Sequence, residues 1–145
     1  MSFEAQRAYL SRKVAFIAVD FPIKIPGQPF RKPTNEPYGE FHIMNSKGFV
    51  VGGEGAGKIR NRYAGMIQLD IYVPEAKGTA VATKAMDAVK ELFAFKQGRD
   101  TAGCTYKFKG AEPIDPSTNA GWTVFTIRVP FTRDEIEKVQ ISINA

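Results

Sequence analysis

Residues 62–95 constrain the fold more than any other part of the chain, because they read without a break as one strand–turn–helix unit. Ile67, Leu69, Ile71 and Val73 alternate with Met66, Gln68, Asp70 and Tyr72, the two-residue period of a strand with one buried face. Pro74 closes that run, and a Glu75-Ala76-Lys77-Gly78 turn follows. Over residues 79–95, Val81, Ala82, Ala85, Met86, Val89, Leu92 and Phe93 recur at three- and four-residue steps. Lys84, Asp87, Lys90 and Glu91 point the other way, so the segment predicts an amphipathic helix.

The flanking regions extend the pattern. Ser2 fits an N-cap for a first helix over residues 3–19, whose β-branched end blurs its boundary. Pro22, Pro26, Pro29, Pro33 and Pro37 then exclude a helix or a central strand, since each removes a donor and fixes φ. They predict an extended proline-rich arm over residues 26–37, after a short strand at 23–25. Residues 38–44 read as a strand with Tyr38, Glu40 and His42 on one face and Phe41 and Ile43 on the other. Residues 45–58 contain Gly48, Gly52, Gly53, Gly55 and Gly57 and predict a flexible loop with the apolar Phe49-Val50-Val51 at its centre. Residues 59–73 then form one long strand, with Gly65 a natural place for a bulge.

Gly98 reads as a helix C-cap, and residues 101–109 as a strand carrying Cys104, Tyr106 and Phe108 on one side. Residues 112–121 read as a turn-rich connection, and 122–131 as a strand with Phe125, Ile127, Val129 and Phe131 inward. Thr132-Arg133-Asp134-Glu135 fits a capping box and predicts a short helix through Val139, within a C-terminal extension over 132–145. The order α-β-β-α-β-β predicts one α+β domain over residues 1–145, a single mainly antiparallel β-sheet with two main helices packed against it. At 145 residues and 43% hydrophobic, a chain of this kind holds a core without disulfide or metal.

No catalytic constellation is legible. Gly52-Gly53-Glu54-Gly55-Ala56-Gly57-Lys58 satisfies the G-x-x-x-x-G-K spacing, but Ile59 stands where a P-loop needs Ser or Thr for magnesium. The segment also feeds an extended run rather than a helix N-terminus, so nucleotide binding is rejected. Cys104 and His42 are each the chain's sole example, which excludes an intrachain disulfide and the usual Cys/His zinc clusters. Cys104 is expected to be buried, and His42 to face solvent or be capped on its strand. Asp87 and Glu91, one helical turn apart beside Lys84 and Lys90, read as a solvated face. A non-enzymatic protein without metal or cofactor is expected. The net charge of +5 is dispersed except at Lys58, Arg60 and Arg62, whose two-residue spacing puts three cations on one side of a strand. Both a nucleic-acid contact and a charge-protected edge fit that cluster. No apolar run approaches the ~20 residues of a membrane span, and the N-terminus lacks a signal-peptide pattern, which predicts a cytoplasmic product.

Several of these features occur together in an order that resembles a known family. The features are Tyr63-Ala64-Gly65 before a strand ended by Pro74, then a glycine-containing turn, then Ala82, Ala85, Met86, Val89 and Phe93 at helical spacing. With Thr126-Ile127-Arg128-Val129-Pro130-Phe131 running into Arg133-Asp134-Glu135, they resemble the tail terminator (tail completion) proteins of long-tailed bacteriophages. The resemblance implies a virion structural protein that forms a closed ring, typically hexameric, at the head-proximal end of the tail tube. Such a ring stops tube polymerisation and provides the docking face for the head. The implied partners are further copies of the chain, the tail tube protein and the head-tail connector protein. DNA passes through the lumen without sequence specificity, and no cofactor or membrane is involved. The implied location is the virion tail, after assembly in the host cytoplasm. A closed ring needs a heterologous interface, for which Phe49, Val50, Val51, Lys58, Arg60, Arg62, Gln68, Asp70 and Tyr72 are the candidates. The arm over 26–37 is a further candidate for inter-subunit or tube contacts. Within the same virion, a head-tail joining or tail tube protein is the alternative. From another class, the alternative is a small basic nucleic-acid-binding protein using Lys58, Arg60, Arg62 and Tyr63.

Overall fold

The computed structural model describes residues 3–17, 20–55 and 57–138. Among the described residues, two helices, α1 (Phe3–Val14) and α2 (Ala80–Phe93), accompany seven strands in one sheet. The strands are β1 (Ile23–Lys24), β2 (Tyr38–Gly55), β3 (Lys58–Pro74), β4 (Gln97–Arg99), β5 (Thr105–Phe108), β6 (Glu112–Asn119) and β7 (Trp122–Lys138). The spatial order is β1-β2-β3-β7-β5-β4, with β6 paired to the remaining edge of β7.

Alternation along β3 and β7 builds the core. Ile67, Leu69, Ile71 and Val73 on β3 lie beside Phe125, Ile127, Val129 and Phe131 on β7, all on one face and all buried. Leu10 and Val14 of α1 and Ala82, Ala85, Val89 and Phe93 of α2 join the same cluster, so both helices cover that face. Burying each large apolar side chain stabilises the fold by roughly 1.5–3 kcal/mol. Glycine is required where the strands approach most closely. A Cβ on Gly65 would lie 2.5 Å from the Phe131 ring and 2.8 Å from the Met44 carbonyl oxygen. The β3 pairing runs straight through Gly65, and the expected bulge falls on β2 instead, between Asn45 and Gly48.

The sheet is mixed: its other pairings are antiparallel, but β1 runs parallel to β2, pairing Ile23 with Gly39 and Lys24 with Glu40. Parallel neighbours need a connection of a dozen or more residues, and the proline-rich segment supplies it. That segment returns over its own sheet. The Phe30 and Tyr38 rings are 6.1 Å apart, and Lys32 Nζ lies 5.6 Å from the Tyr38 ring and 5.9 Å from that of Trp122.

Several local expectations give way to long-range pairing. α1 ends at Val14, short of residue 19, through hydrogen bonds that tighten to three-residue steps from Phe16 to Lys13 and from Ile17 to Val14. α2 ends at Phe93, and Gly98 is not its cap; it lies in β4, where the Tyr9 hydroxyl fills the place a Cβ would need. The loop expected over 45–58 is the far end of the β2–β3 hairpin, with Gly55 (φ 72°) and Gly57 (φ 75°) at its turn. Residues 112–121 are not a connection but β6 and a two-residue turn in which Ala120 (φ 50°) and Gly121 (φ 85°) are both left-handed. Pro113 and Pro116 are tolerated there because β6 is an edge strand.

The capping box at Thr132–Glu135 opens no helix, because those residues continue β7 between β3 and β5. Arg133 is fully buried, with Nη2 3.5 Å from Asp100 Oδ2 and its guanidinium 5.8 Å from the Tyr106 ring. Asp100 also accepts hydrogen bonds from the Tyr106 hydroxyl (2.8 Å) and the Ala102 and Cys104 amides. Burial, then the bond to Asp100, pushes the Tyr106 phenol far up, so it stays protonated and donating. A charge so deep requires such partners, and they tie β7 to the β4–β5 turn. Residues 139–145 lie outside the described residues.

Candidate functional site

The face of the sheet away from the helices divides into two parts. In the first, opposite the core, cross-strand rows are polar. His42, Gln68 and Arg128 form one row, and Glu40, Asp70 and Thr126 the next. Arg128 Nε donates to Gln68 Oε1 at 2.7 Å, and Gln68 Nε2 donates to Asp70 Oδ1 at 2.9 Å. Thr126 Oγ1 donates to the same Asp70 oxygen at 2.7 Å. His42 Nε2 lies 3.2 Å from Asp70 Oδ2 and 3.7 Å from Glu40 Oε2. In the following row Tyr72 stacks on buried Tyr38, with centroids 4.7 Å apart and planes at 4°. Burial first, then the Glu40 and Asp70 carboxylates, push the Tyr72 phenol up. Gln68, Asp70 and Tyr72 are therefore committed partners of their own sheet, an arrangement that strand alternation alone does not reveal.

The second part is the distal stretch of residues 46–55, 58–64 and 132–138, where β2, β3 and β7 continue, with β5 still paired to β7 as far as Asp134. Here Phe49, Val50 and Ile136 are more than half exposed, and Val51 is also exposed. Register puts Phe49 beside Arg62 and Asp134 on the outer face, and Ile136 beside Arg60 on the same face. Val50 pairs with Asn61 and so faces the opposite side, giving the extension apolar residues on both faces. Gly48 makes this stretch a strand rather than a loop, since the Tyr63 ring from β3 fills the space a Cβ would take, at 2.3 Å.

Lys58, Arg60 and Arg62 fall on one side of β3, as their spacing predicts, but they are not equivalent. Arg62 grips Asp134 through Nε (2.8 Å) and Nη2 (3.0 Å). That hydrogen bond, ahead of the opposing burial, holds the Asp134 carboxyl below its usual range. Nearby, a cleft of about 440 Å³ places Arg60, Arg99 and Lys107 next to Asp134 and Glu135. Carboxylates in its wall disfavour phosphate. Ile136 and Asp134 were not legible as surface participants, because each acquires its place through pairing with distant residues. The only sequence signal for Ile136 is one β-branched residue in a charged run. Among the described residues, no helix is long and apolar enough to cross a membrane.

A solved protein known only by a sequence identifier shares this fold, with a TM-score of 0.72 at 17% identity over 92% of this chain and 96% of the other. A chain of a native gene transfer agent virion particle aligns over 92% of this chain and 100% of its own, at 12% identity and a TM-score of 0.49, too weak a likeness to carry an argument. No curated protein matches the sequence. The sequence profile described as phage tail terminator protein matches residues 3–131, and the chain therefore belongs to the phage tail terminator family, as a structural protein of the virion.

Proposed function

We propose that the protein closes a ring on the head-proximal end of the tail tube, ends tube polymerisation there and provides the docking face for the head. Copies of the chain, the tail tube protein and the head-tail connector are its partners, with a hexamer as the ring and DNA crossing the lumen without sequence specificity. Assembly takes place in the host cytoplasm. The observation that carries this reading, beside family membership, is the distal extension. It leaves Phe49, Val50 and Ile136 more than half exposed, outside the core cluster to which both helices contribute. Exposed apolar residues of this kind, bordered by charge, favour contact with another protein. In a closed ring a neighbouring subunit meets this patch with a different surface, the heterologous geometry a ring requires. The nucleic-acid alternative is weakened by the carboxylate that already occupies Arg62.

Electron microscopy of lysates from phage carrying an early stop codon in this gene tests the proposal. Overlong tubes of variable length, unattached to heads, are expected. Absent tubes point to the tube protein and free tails of normal length to joining, and normal virions overturn the structural role altogether.

A further inference from the structure

We propose that Glu40, His42 and Asp70 form a binding site for a divalent first-row transition-metal ion on the outer face of the sheet. The sequence showed no such site, because its ligands come from two strands and only one is a histidine. Antiparallel register sets Glu40 directly opposite Asp70 and puts His42 one row along on the same face. One donor atom from each lies within 4.8 Å of the others. His42 Nε2 is 3.2 Å from Asp70 Oδ2 and 3.7 Å from Glu40 Oε2. Donors held about 2.0–2.2 Å from a tetrahedral ion stand roughly 3.3–3.6 Å apart, so the two measured separations bracket the required spacing.

Charge points the same way. Two carboxylates directly opposite on neighbouring strands repel, and here both are largely covered, with side chains 26% (Glu40) and 14% (Asp70) exposed. The positive groups nearby are placed otherwise. Arg128 is engaged by Gln68, and Lys24, which pairs with Glu40 along β1, is exposed. A dication between the carboxylates relieves the repulsion and balances both charges.

The surroundings also orient the donors. Thr126 and Gln68 both bond Asp70 Oδ1, which leaves Oδ2 directed at His42, and Arg128 in turn fixes Gln68. Hydrogen bonds of this kind behind a ligand are what hold a metal site in register. The imidazole favours zinc, nickel, cobalt or copper over magnesium or calcium. His42, 43% exposed, leaves the site open to solvent, and three protein ligands leave a further position for water.

The test uses the full chain without a histidine tag, titrated with zinc chloride at neutral pH by calorimetry and by proton NMR. Because the chain has one histidine, its imidazole resonances report on the site directly. One zinc per chain is expected, with those resonances shifting in step and magnesium at equal concentration leaving them in place. His42→Gln and Asp70→Asn should each weaken zinc binding at least tenfold, and Gln68→Ala roughly tenfold. Circular dichroism checks that each variant is folded, and the NMR titration of the unaltered chain decides the matter without them. Imidazole resonances indifferent to excess zinc mean a plain His42–Asp70 contact and overturn the site. Unchanged affinity in His42→Gln overturns it equally.

Discussion

The strands β2, β3 and β7 run through two environments without interruption. In the proximal half, roughly residues 38–45, 66–74 and 122–131, one face is sealed by α1 and α2 and the other carries a hydrogen-bonded polar network. In the distal half, residues 46–55, 58–64 and 132–138, the same backbone ladders continue and Phe49, Val50 and Ile136 stand exposed. The difference teaches that ladder pairing alone sets a strand's path, whereas its contribution to stability depends on what packs against it. One half carries the helix-covered core, and the other ends in exposed apolar side chains.

The largest break in that contrast comes from the proximal side. Phe93→Ala empties a fully buried site where α2 meets the Phe108 ring, 5.4 Å away between centroids. It should destabilise the protein by about 3–5 kcal/mol, read from the denaturant midpoint at unchanged slope. Next, the double change Phe49→Ser with Val50→Ser removes exposed groups and should alter the stability of the isolated chain by no more than about 0.5 kcal/mol. The same variant should sediment as smaller species than the unaltered protein under ring-forming conditions, and an equal distribution would remove the patch from the interface. The smallest effect is a pH dependence in the distal half. Arg62 holds the Asp134 carboxyl below the usual carboxylate range in the folded chain, so its contribution is present above that range and is lost as pH falls through the lowered folded value. Asp134→Asn should therefore be slightly less stable than the parent at neutral pH, with the gap closing below about pH 4 and narrowing in high salt.

How much of this was legible divides along the same line. The unit from Ile67 to Phe93 is a strong pattern in which local preference and burial agree, and the inward set of β3 and β7 follows from alternation. Residues 45–58 were illegible for a specific reason. Glycines at 48, 52 and 53 argue for a loop until Tyr63 is seen to occupy the space above Gly48. Thr132–Glu135 misled in the same way, since a capping-box pattern is a local preference that pairing on two sides overrides. Pro113 and Pro116 concealed β6 because only an edge position tolerates them, and edge position is not written in the segment itself. Of the proposed contact residues, Phe49, Val50 and Val51 are exposed, whereas Gln68, Asp70 and Arg62 already serve their own sheet.

By itself the sequence determined the strand–turn–helix unit and the inward faces of β3 and β7. These are short-range properties, set by side-chain period. Only the tertiary structure decided the parallel pairing of β1, the length of the distal extension, the buried Arg133–Asp100 contact and the meeting of Glu40, His42 and Asp70. Each of these depends on residues far apart in the chain, and no local preference records which of them will become neighbours.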